Sequence, residues 1–243
     1  MERRRQLLGW WLGATGAALL GCGGAARRPP VATAPSGSPS GALSPADQRL
    51  LAAPGVLPIV QRTAGGRGVL RSRARPIALA DQPHLATLDR RMRATLESSG
   101  GVGLAAPQIG IGVRAILVML DARGDAPHVE LFFNPRLVER SDEIALDYEG
   151  CLSIQGVCGL VRRNQSIVVE HGTPDQTPRR IEVTGFDARI FQHEVDHLDG
   201  VLYIDRVEGK LQPMDKLKEL RDELRQQQSP SACHWPDPHQ LLL

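Results

Sequence analysis

The sequence predicts an α+β fold, in which small mixed or antiparallel β-sheets pack around a central helix that carries an HExxH motif. Two observations support the helices and sheets: segments with apolar residues at helical spacing lie near both ends of the fold, and short β-rich runs separated by turn residues lie between them. A further observation, for the central helix, is the motif itself, His193 to His197, which lies in a helical segment after these runs. We therefore expect one helix N-terminal and one helix C-terminal to the central one.

Length and composition indicate one catalytic domain with appendages. The chain has 243 residues, 42% of them hydrophobic, and a net charge of +2, so nothing points to a nucleic-acid partner. None of its four cysteines forms a CxxC pair, which argues against a disulfide framework. Cys158 and Cys233 are candidate free thiols, and a bridge between them stays open.

The first 22 residues resemble an export leader. A basic start, Arg3 to Arg5, precedes an apolar run from Leu7 to Leu20 and then Cys22, in the order of a signal with a lipobox. The paired arginines also resemble a twin-arginine signal. The alternative is translated DNA upstream of the true start. Residues 23–55, rich in Ala, Pro, Gly and Ser, predict a flexible linker, and order is expected from about Val56.

The elements of the predicted domain, residues 56–228, follow in order. Leu85, Leu88, Met92 and Leu96 predict a helix over 83–99, which Gly100 ends. The β-rich runs are Arg114–Leu120, Val129–Phe133, Ser166–His171 and Arg180–Thr184. Helices are predicted from about Asp187 to Leu198 and from Pro213 to about Gln227. Residues 229–243 predict an irregular tail.

His193, Glu194 and His197 predict a metal site. Residues four apart lie on the same face of a helix, so both imidazoles can bind one cation while Glu194 lies beside it as a base. A catalytic metal of this kind usually has three protein ligands and one open position. Two ligands are therefore not enough.

The third ligand has three candidates. An extended zinc-protease motif would place a histidine at position 203, where this chain has Tyr203. Glu219 would serve in another protease class, although its surroundings resemble a charged helix face. Cys151, within Glu-Gly-Cys-Leu-Ser at 149–153, offers a thiolate, although a cysteine is often only a small buried residue.

Three segments together resemble the peptide deformylase family. They read GVGLAAPQ at 101–108, EGCLS at 149–153 and QHEVDH at 192–197, in the order of the family motifs GxGxAAxQ, EGCLS and QHExDH. The segment 69–76 also resembles the family's N-terminal part. The resemblance covers roughly residues 56–228 and implies hydrolysis of the formyl group of N-formylmethionyl peptides, with release of formate.

The resemblance also implies the roles of single residues. It makes Cys151, His193 and His197 the ligands of one metal ion, Fe2+ in the cell with Zn2+ as a less active substitute. It makes Glu194 the general base and acid. The remaining assignments are Gln108 and the backbone N–H of Leu152 as oxyanion donors, Val102 and Ile190 as lining of the methionine pocket, and Gly103 as a backbone partner of the substrate.

Two features depart from this resemblance. Gln155 and Cys158 replace residues that the family commonly has as proline and as a polar side chain, which affects the expected peptide preference more than the reaction. The leader predicts export and a lipid on Cys22, whereas the family implies a cytoplasmic enzyme, so the location stays open.

Two other functions are weighed against a deformylase. One is an envelope metallopeptidase that uses Glu219 as its third ligand. The other is a lipoprotein that only binds peptides or metal, which would need neither the base Glu194 nor the donor Gln108.

Overall fold

Five helices and eight strands form the described part of the chain. The structure is a computed structural model that describes residues 43–63, 67–78, 81–173, 175 and 177–227. The helices are α1 (Pro45–Ala52), α2 (Arg67–Arg71), α3 (Gln82–Ser99), α4 (Gly185–Leu198) and α5 (Leu217–Gln227). The strands are β1 (Gly103–Ala105), β2 (Ala115–Leu120), β3 (His128–Arg140), β4 (Ile144–Cys151), β5 (Ile154–Asn164), β6 (Ser166–Gly172), β7 (Pro178–Thr184) and β8 (Val207–Pro213). The predicted leader 1–22 and the tail 229–243, with Cys22 and Cys233, lie outside these ranges.

The strands form two antiparallel sheets. One has five strands in the order β1-β2-β3-β6-β7, and the other has three in the order β4-β5-β8. Neighbouring strands pair antiparallel in both. This arrangement confirms the predicted α+β class, with sheets around the motif helix and helices on either side of it in the chain.

The five-stranded sheet is buried on both faces at β2, because residues of α3 and α4 pack on its opposite sides there. Successive side chains of a strand point to opposite faces. In β2, Ile116 and Val118 accordingly belong to the cluster that includes residues of α4. Ala115 and Leu117 belong to the cluster that includes residues of α3. Because β2 meets an apolar cluster on each face of the sheet, its sequence is continuously hydrophobic rather than alternating.

Helix α4 lies between the two sheets and is buried almost throughout. Its apolar residues, Ala188, Ile190, Val195 and Leu198 among them, pack into the cluster of the five-stranded sheet. Its buried polar residues instead contact the three-stranded sheet: Gln192 bonds to the backbone of Asn164 in β5 through both ends of its amide, at 3.0 and 2.9 Å. A helix surrounded in this way holds its side chains with little freedom, which suits a catalytic site.

Helix α3 agrees closely with the prediction for residues 83–99. Leu85, Leu88, Met92 and Leu96 are buried on one face, and Gly100 ends the helix in the left-handed region with φ of 67°. The prediction for α5 was less accurate at its start, because Pro213 ends β8 and a short 3-10 turn precedes Leu217. No helix in the described ranges is long and apolar enough to cross a membrane.

The predicted flexible linker 23–55 is wrong in its last part. Helix α1 begins after Ser44, whose hydroxyl accepts a hydrogen bond from the backbone N–H of Asp47, and the Asp47 carboxylate accepts one from Ser44 N–H in return. This is a reciprocal capping box. Leu43 and Leu51 are buried against α3, so the ordered domain extends upstream of Val56. The Ala- and Pro-rich composition did not indicate this short helix, because its order depends on the contacts of Leu43 and Leu51 with α3.

The sequence-based prediction also missed β4, β5 and β8. These strands carry charged residues at many positions, as in Asp147, Arg162 and Glu208, so they lack an apolar alternation. Several of these charges are paired across the structure: Arg162 bonds to Glu208 on the neighbouring strand. Pairing of this kind depends on the tertiary arrangement and leaves no periodic signal in the sequence.

Candidate metal centre

Three side chains from α4 and β4 meet in the interior. The ligand atoms of Cys151, His193 and His197 all lie within 4.8 Å of one another, and all three residues are buried. The Sγ of Cys151 is 3.2 Å from Nε2 of His197. A tetrahedral ion with sulfur at about 2.3 Å and nitrogen at about 2.1 Å would hold such atoms roughly 3.6 Å apart. The cluster therefore has the dimensions of a mononuclear site.

Two contacts join the end of β4 to α4. Glu149 and Cys151 are two residues apart on β4, with an irregularity in the β4–β5 register between them. His193 and His197 are four apart on α4, about 6 Å along the helix axis. Glu149 thus meets His193 while Cys151 meets His197. The i,i+4 motif alone specified two ligands, His193 and His197. The contact between β4 and α4 adds Cys151 as the third.

The structure distinguishes between the candidates for the third ligand. Tyr203 is buried, but its hydroxyl donates to the carbonyl of Val157 at 3.0 Å. Its ring stacks beside that of His193, with centroids 6.0 Å apart. Glu219 is exposed on α5 and is not part of the Cys-His-His group. Among the three candidates, only Cys151 joins the two histidines.

Glu149 is completely buried and yet ionised. Its carboxylate accepts hydrogen bonds from Arg163 at 2.8 and 2.9 Å, from Arg189 at 2.7 Å and from Nδ1 of His193 at 3.0 Å. Burial raises the pKa of Glu149, but the charge and hydrogen bonds of Arg163, with those of His193 and Arg189, outweigh burial and hold this pKa well below its usual range. An ionised carboxylate only accepts, so Nδ1 of His193 carries the proton and Nε2 keeps its lone pair for a metal.

Glu194 lies against the glycine-rich loop. A Cβ added to Gly103 would be 2.5 Å from Oε1 of Glu194 and 2.8 Å from Ile190. A side chain at position 103 would therefore displace the carboxylate. Burial raises the pKa of Glu194 well above its usual value and the negative charge of Glu149 adds to this effect, whereas Arg163 opposes it.

Several buried atoms around the cluster lack a hydrogen-bond partner within the described residues. They are Nε2 of His193, Nδ1 of His197 and both carboxylate oxygens of Glu194. Buried polar atoms are nearly always satisfied, so each such group needs an explanation. A cation with its water would satisfy Nε2 of His193 and the Glu194 carboxylate, which shows that these residues fit a metal ion.

The protonation states of the other two ligands fit the same explanation. Burial raises the pKa of the Cys151 thiol, and the negative charges of Glu194 and Glu149 add to this rise. A cation is therefore needed to hold the thiolate, which is the form that binds metal. Burial lowers the pKa of His197 well below its usual value, and so does the nearby His193. Neutral imidazole is the form that binds metal.

Gln108 extends from the 3-10 turn Ala106–Ile109 toward the metal cluster. Its Oε1 accepts a hydrogen bond from the backbone N–H of Ala105 at 2.8 Å, which orients the amide. Its Nε2 is 3.3 Å from Oγ of Ser153 and 3.6 Å from Sγ of Cys151. Leu152 and Ser153 form the turn between β4 and β5, where Cys151 pairs with Ile154. The two predicted oxyanion donors thus come from two chain segments that both adjoin Cys151.

The glycine-rich loop and the cysteine loop also pack on each other. A Cβ at Gly101 would lie 2.9 Å from Cδ1 of Leu152. Val102 and Ile190, predicted to line a methionine pocket, are fully buried in the core beside α4. Val102 precedes Gly103 in the sequence, and Ile190 lies beside Gly103 in space. Their role in binding a side chain stays a prediction.

Sequence reasoning assigned no role to four charged residues behind the metal cluster. Glu149, Arg163, Arg189 and Asp196 form a buried network in which Arg163 bridges Glu149 and Asp196. Arg206 adds two further hydrogen bonds to Asp196, at 2.6 and 2.7 Å. Glu149 lies in the EGCLS motif and Asp196 in the QHEVDH motif, so the motifs were the sequence signal for these two residues. Nothing in the sequence marks the two buried arginines as their partners.

The fold and the site define a hydrolase with a mononuclear metal centre, in which an HExxH helix and a cysteine loop supply the ligand atoms. The chain belongs to the polypeptide deformylase family, whose model matches residues 56–212. The match covers all three motifs and both sheets except the last residue of β8. The metallopeptidase hypothesis is therefore wrong.

Relatives and solved structures agree with this assignment. A peptide deformylase of Picosynechococcus sp. is 39% identical over 154 residues, which cover 63% of this chain and 82% of the relative. Peptide deformylase 2 of Nostoc sp. is 40% identical over 166 residues, which cover 65% of this chain and 89% of the relative. The Met-Ala-Ser-bound crystal structure of the class I type b enzyme from Acinetobacter baumannii is 34% identical, with a TM-score of 0.57 over 63% of this chain and 99% of that one. The crystal structure of peptide deformylase from Thermotoga maritima is also 34% identical, with a TM-score of 0.56, and the match covers 64% of this chain and 100% of that one.

Proposed function

We propose that this chain removes the formyl group from N-formylmethionyl peptides, using Fe2+ held by Cys151, His193 and His197. The observation that carries the proposal is the Cys-His-His cluster with the unpartnered carboxylate of Glu194 beside it, within the part of the chain that the structure describes. A thiolate with two imidazoles suits iron or zinc better than magnesium or calcium. When bound, the cation supplies Lewis-acid activation of water, which lowers the pKa of water from about 15.7 toward about 7.

Glu194 moves the protons of the reaction. It accepts a proton from the attacking water and later delivers it to the amine that leaves the formyl carbon. A buried carboxylate whose pKa is raised is a good match for such a shuttle, because it can hold the proton between the two steps. The products are formate and a peptide with a free amino terminus.

Gln108 and Leu152 stabilise the negative charge that grows on the formyl oxygen. The Nε2 group of Gln108 is a donor held in place through Oε1, and the backbone N–H of Leu152 directly follows the ligand Cys151. Losing one donor of this kind typically lowers the rate about 100-fold or more. Gly103 offers its backbone to the peptide, and Val102 and Ile190 line the site for the methionine side chain.

The test is release of formate from formyl-Met-Ala-Ser by anaerobically prepared, iron-loaded protein that includes residues 23–243 and so keeps α1. This substrate gives Met-Ala-Ser, the peptide bound in the Acinetobacter structure. We expect Glu194→Ala to lose nearly all activity and to keep its metal. Glu219→Ala is the matched control, since Glu219 is an exposed glutamate on α5, and its activity should stay unchanged.

Two results would contradict the proposal. One is the absence of formate release from a protein that holds one iron per chain. The other is equal activity of the wild type and Glu194→Ala. Zinc-loaded protein separates the choice of metal from the reaction, because a weaker activity with zinc is expected while the dependence on Glu194 remains.

The leader supports a second proposal, that this deformylase is exported and anchored by a lipid on Cys22. The support is the order of Arg3 to Arg5, the apolar run and Cys22 in the sequence. The measurement is fractionation of the native host, with mass spectrometry of the N-terminal peptide. A diacylglyceryl-modified Cys22 in the membrane fraction is the expected result. A soluble cytosolic protein that begins at Met1 would contradict it.

A further inference from the structure

Segment 57–62 lies between α1 and α2, forms no helix or strand, and bonds to both of the turns that carry the proposed oxyanion donors. One of these turns holds Gln108, and the other holds Leu152 and Ser153. The three sequence motifs do not include this segment, and none of the proposed catalytic roles uses it. Its contacts nevertheless determine how the two turns are held.

Two backbone hydrogen bonds join the segment to these turns. The N–H of Val60 donates to the carbonyl of Gln108 at 2.8 Å. The N–H of Arg62 donates to the carbonyl of Ser153 at 2.9 Å. Since Val60 and Arg62 are only two residues apart, one short stretch of chain connects the backbones of both turns. The separation of the two donors therefore depends in part on this stretch.

The side chain of Gln61, between these two residues, adds a third hydrogen bond to the turns. Its Nε2 donates to the carbonyl of Leu152 at 3.0 Å and is 3.4 Å from the carbonyl of Ile59 in its own segment. Within the described ranges, no backbone hydrogen bond uses the N–H of Leu152. Gln61 thus holds Leu152 through its carbonyl and leaves its N–H available for a formyl oxygen.

The segment is itself anchored in the core. Leu57 is buried in the apolar cluster that also contains Leu152 and Ile109 of the 3-10 turn. The hydroxyl of the buried Thr95 on α3 donates to the carbonyl of Leu57 at 3.2 Å. A close-packed interior leaves such residues little freedom. The hydrogen bond from Gln61 therefore starts from a fixed part of the fold.

We propose that segment 57–62 positions the two oxyanion donors, and that Gln61 is the positioning residue for the N–H of Leu152. This inference rests on the proposed deformylase function. Oxyanion donors lower the barrier because they are already in place when the negative charge develops. Without the hydrogen bond from Gln61, the turn at Leu152 has more freedom to rotate its peptide groups. The transition state should then be stabilised less, whereas metal binding and peptide binding should change little.

The experiment compares Gln61→Met with the wild type, both as the full iron-loaded chain, on formyl-Met-Ala-Ser. Methionine is a flexible side chain that offers no hydrogen-bond donor. We expect kcat to fall about tenfold, which is part of the roughly 100-fold that follows loss of a whole donor. KM should change by less than about twofold, because the donors act in the transition state. Metal content should equal that of the wild type.

Gln48→Met is the matched control. Gln48 on α1 is also a half-buried glutamine, and its Nε2 donates to a backbone carbonyl, that of Leu43, at 2.8 Å. Both variants therefore lose one hydrogen bond of the same kind, but only Gln61 bonds to an oxyanion turn. Gln48→Met should keep the kcat and KM of the wild type. Gln61→Leu replaces Gln61→Met in the comparison if the latter fails to fold.

Hydrogen exchange gives a second readout, which does not require activity. The backbone N–H groups of Ser153 and Ile154 bond to the thiol of Cys151 in the same turn. Their exchange should be about tenfold faster in Gln61→Met than in the wild type, because the turn opens more often. The amides of β6 and β7 should keep their rates. In Gln48→Met, the exchange of the turn should not change.

Three results would overturn the proposal. Unchanged kcat in Gln61→Met would show that the donors do not need this support. A rise in KM alone would place Gln61 against the peptide. Faster exchange throughout the fold would mean that the substitution only destabilises the protein. An inactive wild type would count against the deformylase function itself, and the exchange comparison would still decide whether Gln61 holds the turn.

Discussion

Nδ1 of His193 donates a hydrogen bond to Oε2 of Glu149 over 3.0 Å, from α4 to β4. This contact connects the helix that carries two metal-binding side chains to the strand that carries the third. It also determines which ring nitrogen of His193 is free for the metal. Since Arg163 and Arg189 bind the same carboxylate, the position of the ligand depends on a charge network that lies wholly in the interior.

Replacing Glu149 by Gln is expected to weaken both the metal site and the fold. Loss of a hydrogen-bond partner of a metal-binding histidine lowers metal affinity about 10–100-fold. Removal of one member of a buried ion pair costs about 3–5 kcal/mol, because its partners stay buried and charged. Competition with a zinc chelator and chemical unfolding measure the two effects. Glu182→Gln, at an exposed site on β7, is the control, and equal metal affinity in both variants would refute the role of Glu149.

Gly103→Ala is expected to reduce kcat about 100-fold while the metal stays bound. The added Cβ would lie 2.5 Å from the carboxylate of Glu194, which must then move away from the position where it transfers protons. Gly112→Ala offers a matched control, because an added Cβ there meets no atom within 4 Å. Turnover of formyl-Met-Ala-Ser and metal content are measured for both. Full activity in Gly103→Ala would show that the close approach is unimportant.

Cys151→Ser is expected to lose most of its bound metal, whereas Glu219→Gln should keep it. A hydroxyl is a poor substitute for a thiolate toward iron or zinc, and Glu219 lies on the exposed face of α5. Metal analysis after dialysis, together with the absorption of the cobalt-substituted protein, gives the result independently of activity. The thiolate-to-cobalt band should disappear only in Cys151→Ser. Its persistence there would remove Cys151 from the ligand set.

Asp81 is expected to make stability depend on pH in the acid range. Burial raises its pKa, but the hydrogen bonds from Arg75 and from the backbone of Ala78, with the charge of Arg75, outweigh burial and lower it. A carboxyl with a lowered pKa in the folded state stabilises the protein above its unfolded pKa, about 3.9. This contribution is lost as the pH falls through the folded value. Asp81→Asn should therefore be less stable than the wild type at pH 7, by about 1.5–3 kcal/mol.

The measurement for Asp81 is the free energy of unfolding from pH 7 down to pH 3. The gap between the wild type and Asp81→Asn should narrow as the pH falls below about 4. The exposed Asp125→Asn is the control and should follow the wild type throughout. A gap of constant size would mean that Asp81 acts through its shape rather than through its charge.

The prediction from sequence was most accurate where local periodicity coincides with burial. Helices α3 and α4 and strands β2, β6 and β7 were predicted near their observed bounds, because apolar side chains mark their buried faces. Helix α1 was missed because its order depends on Leu43 and Leu51 meeting α3. The strands of the smaller sheet were missed because their charged residues find partners only after folding.

For the metal site, the sequence by itself determined that His193 and His197 share one face and that Glu194 adjoins them, because a helix has a fixed repeat. With the motifs, it also pointed to Cys151 and Gln108. The tertiary structure placed Cys151, rather than Tyr203 or Glu219, beside the two histidines, and only it assembled the charges behind His193. The physical reason is that helix periodicity acts over a few residues, whereas the 3.0 Å contact between Glu149 and His193 joins positions 44 residues apart, through the packing of a helix against a strand.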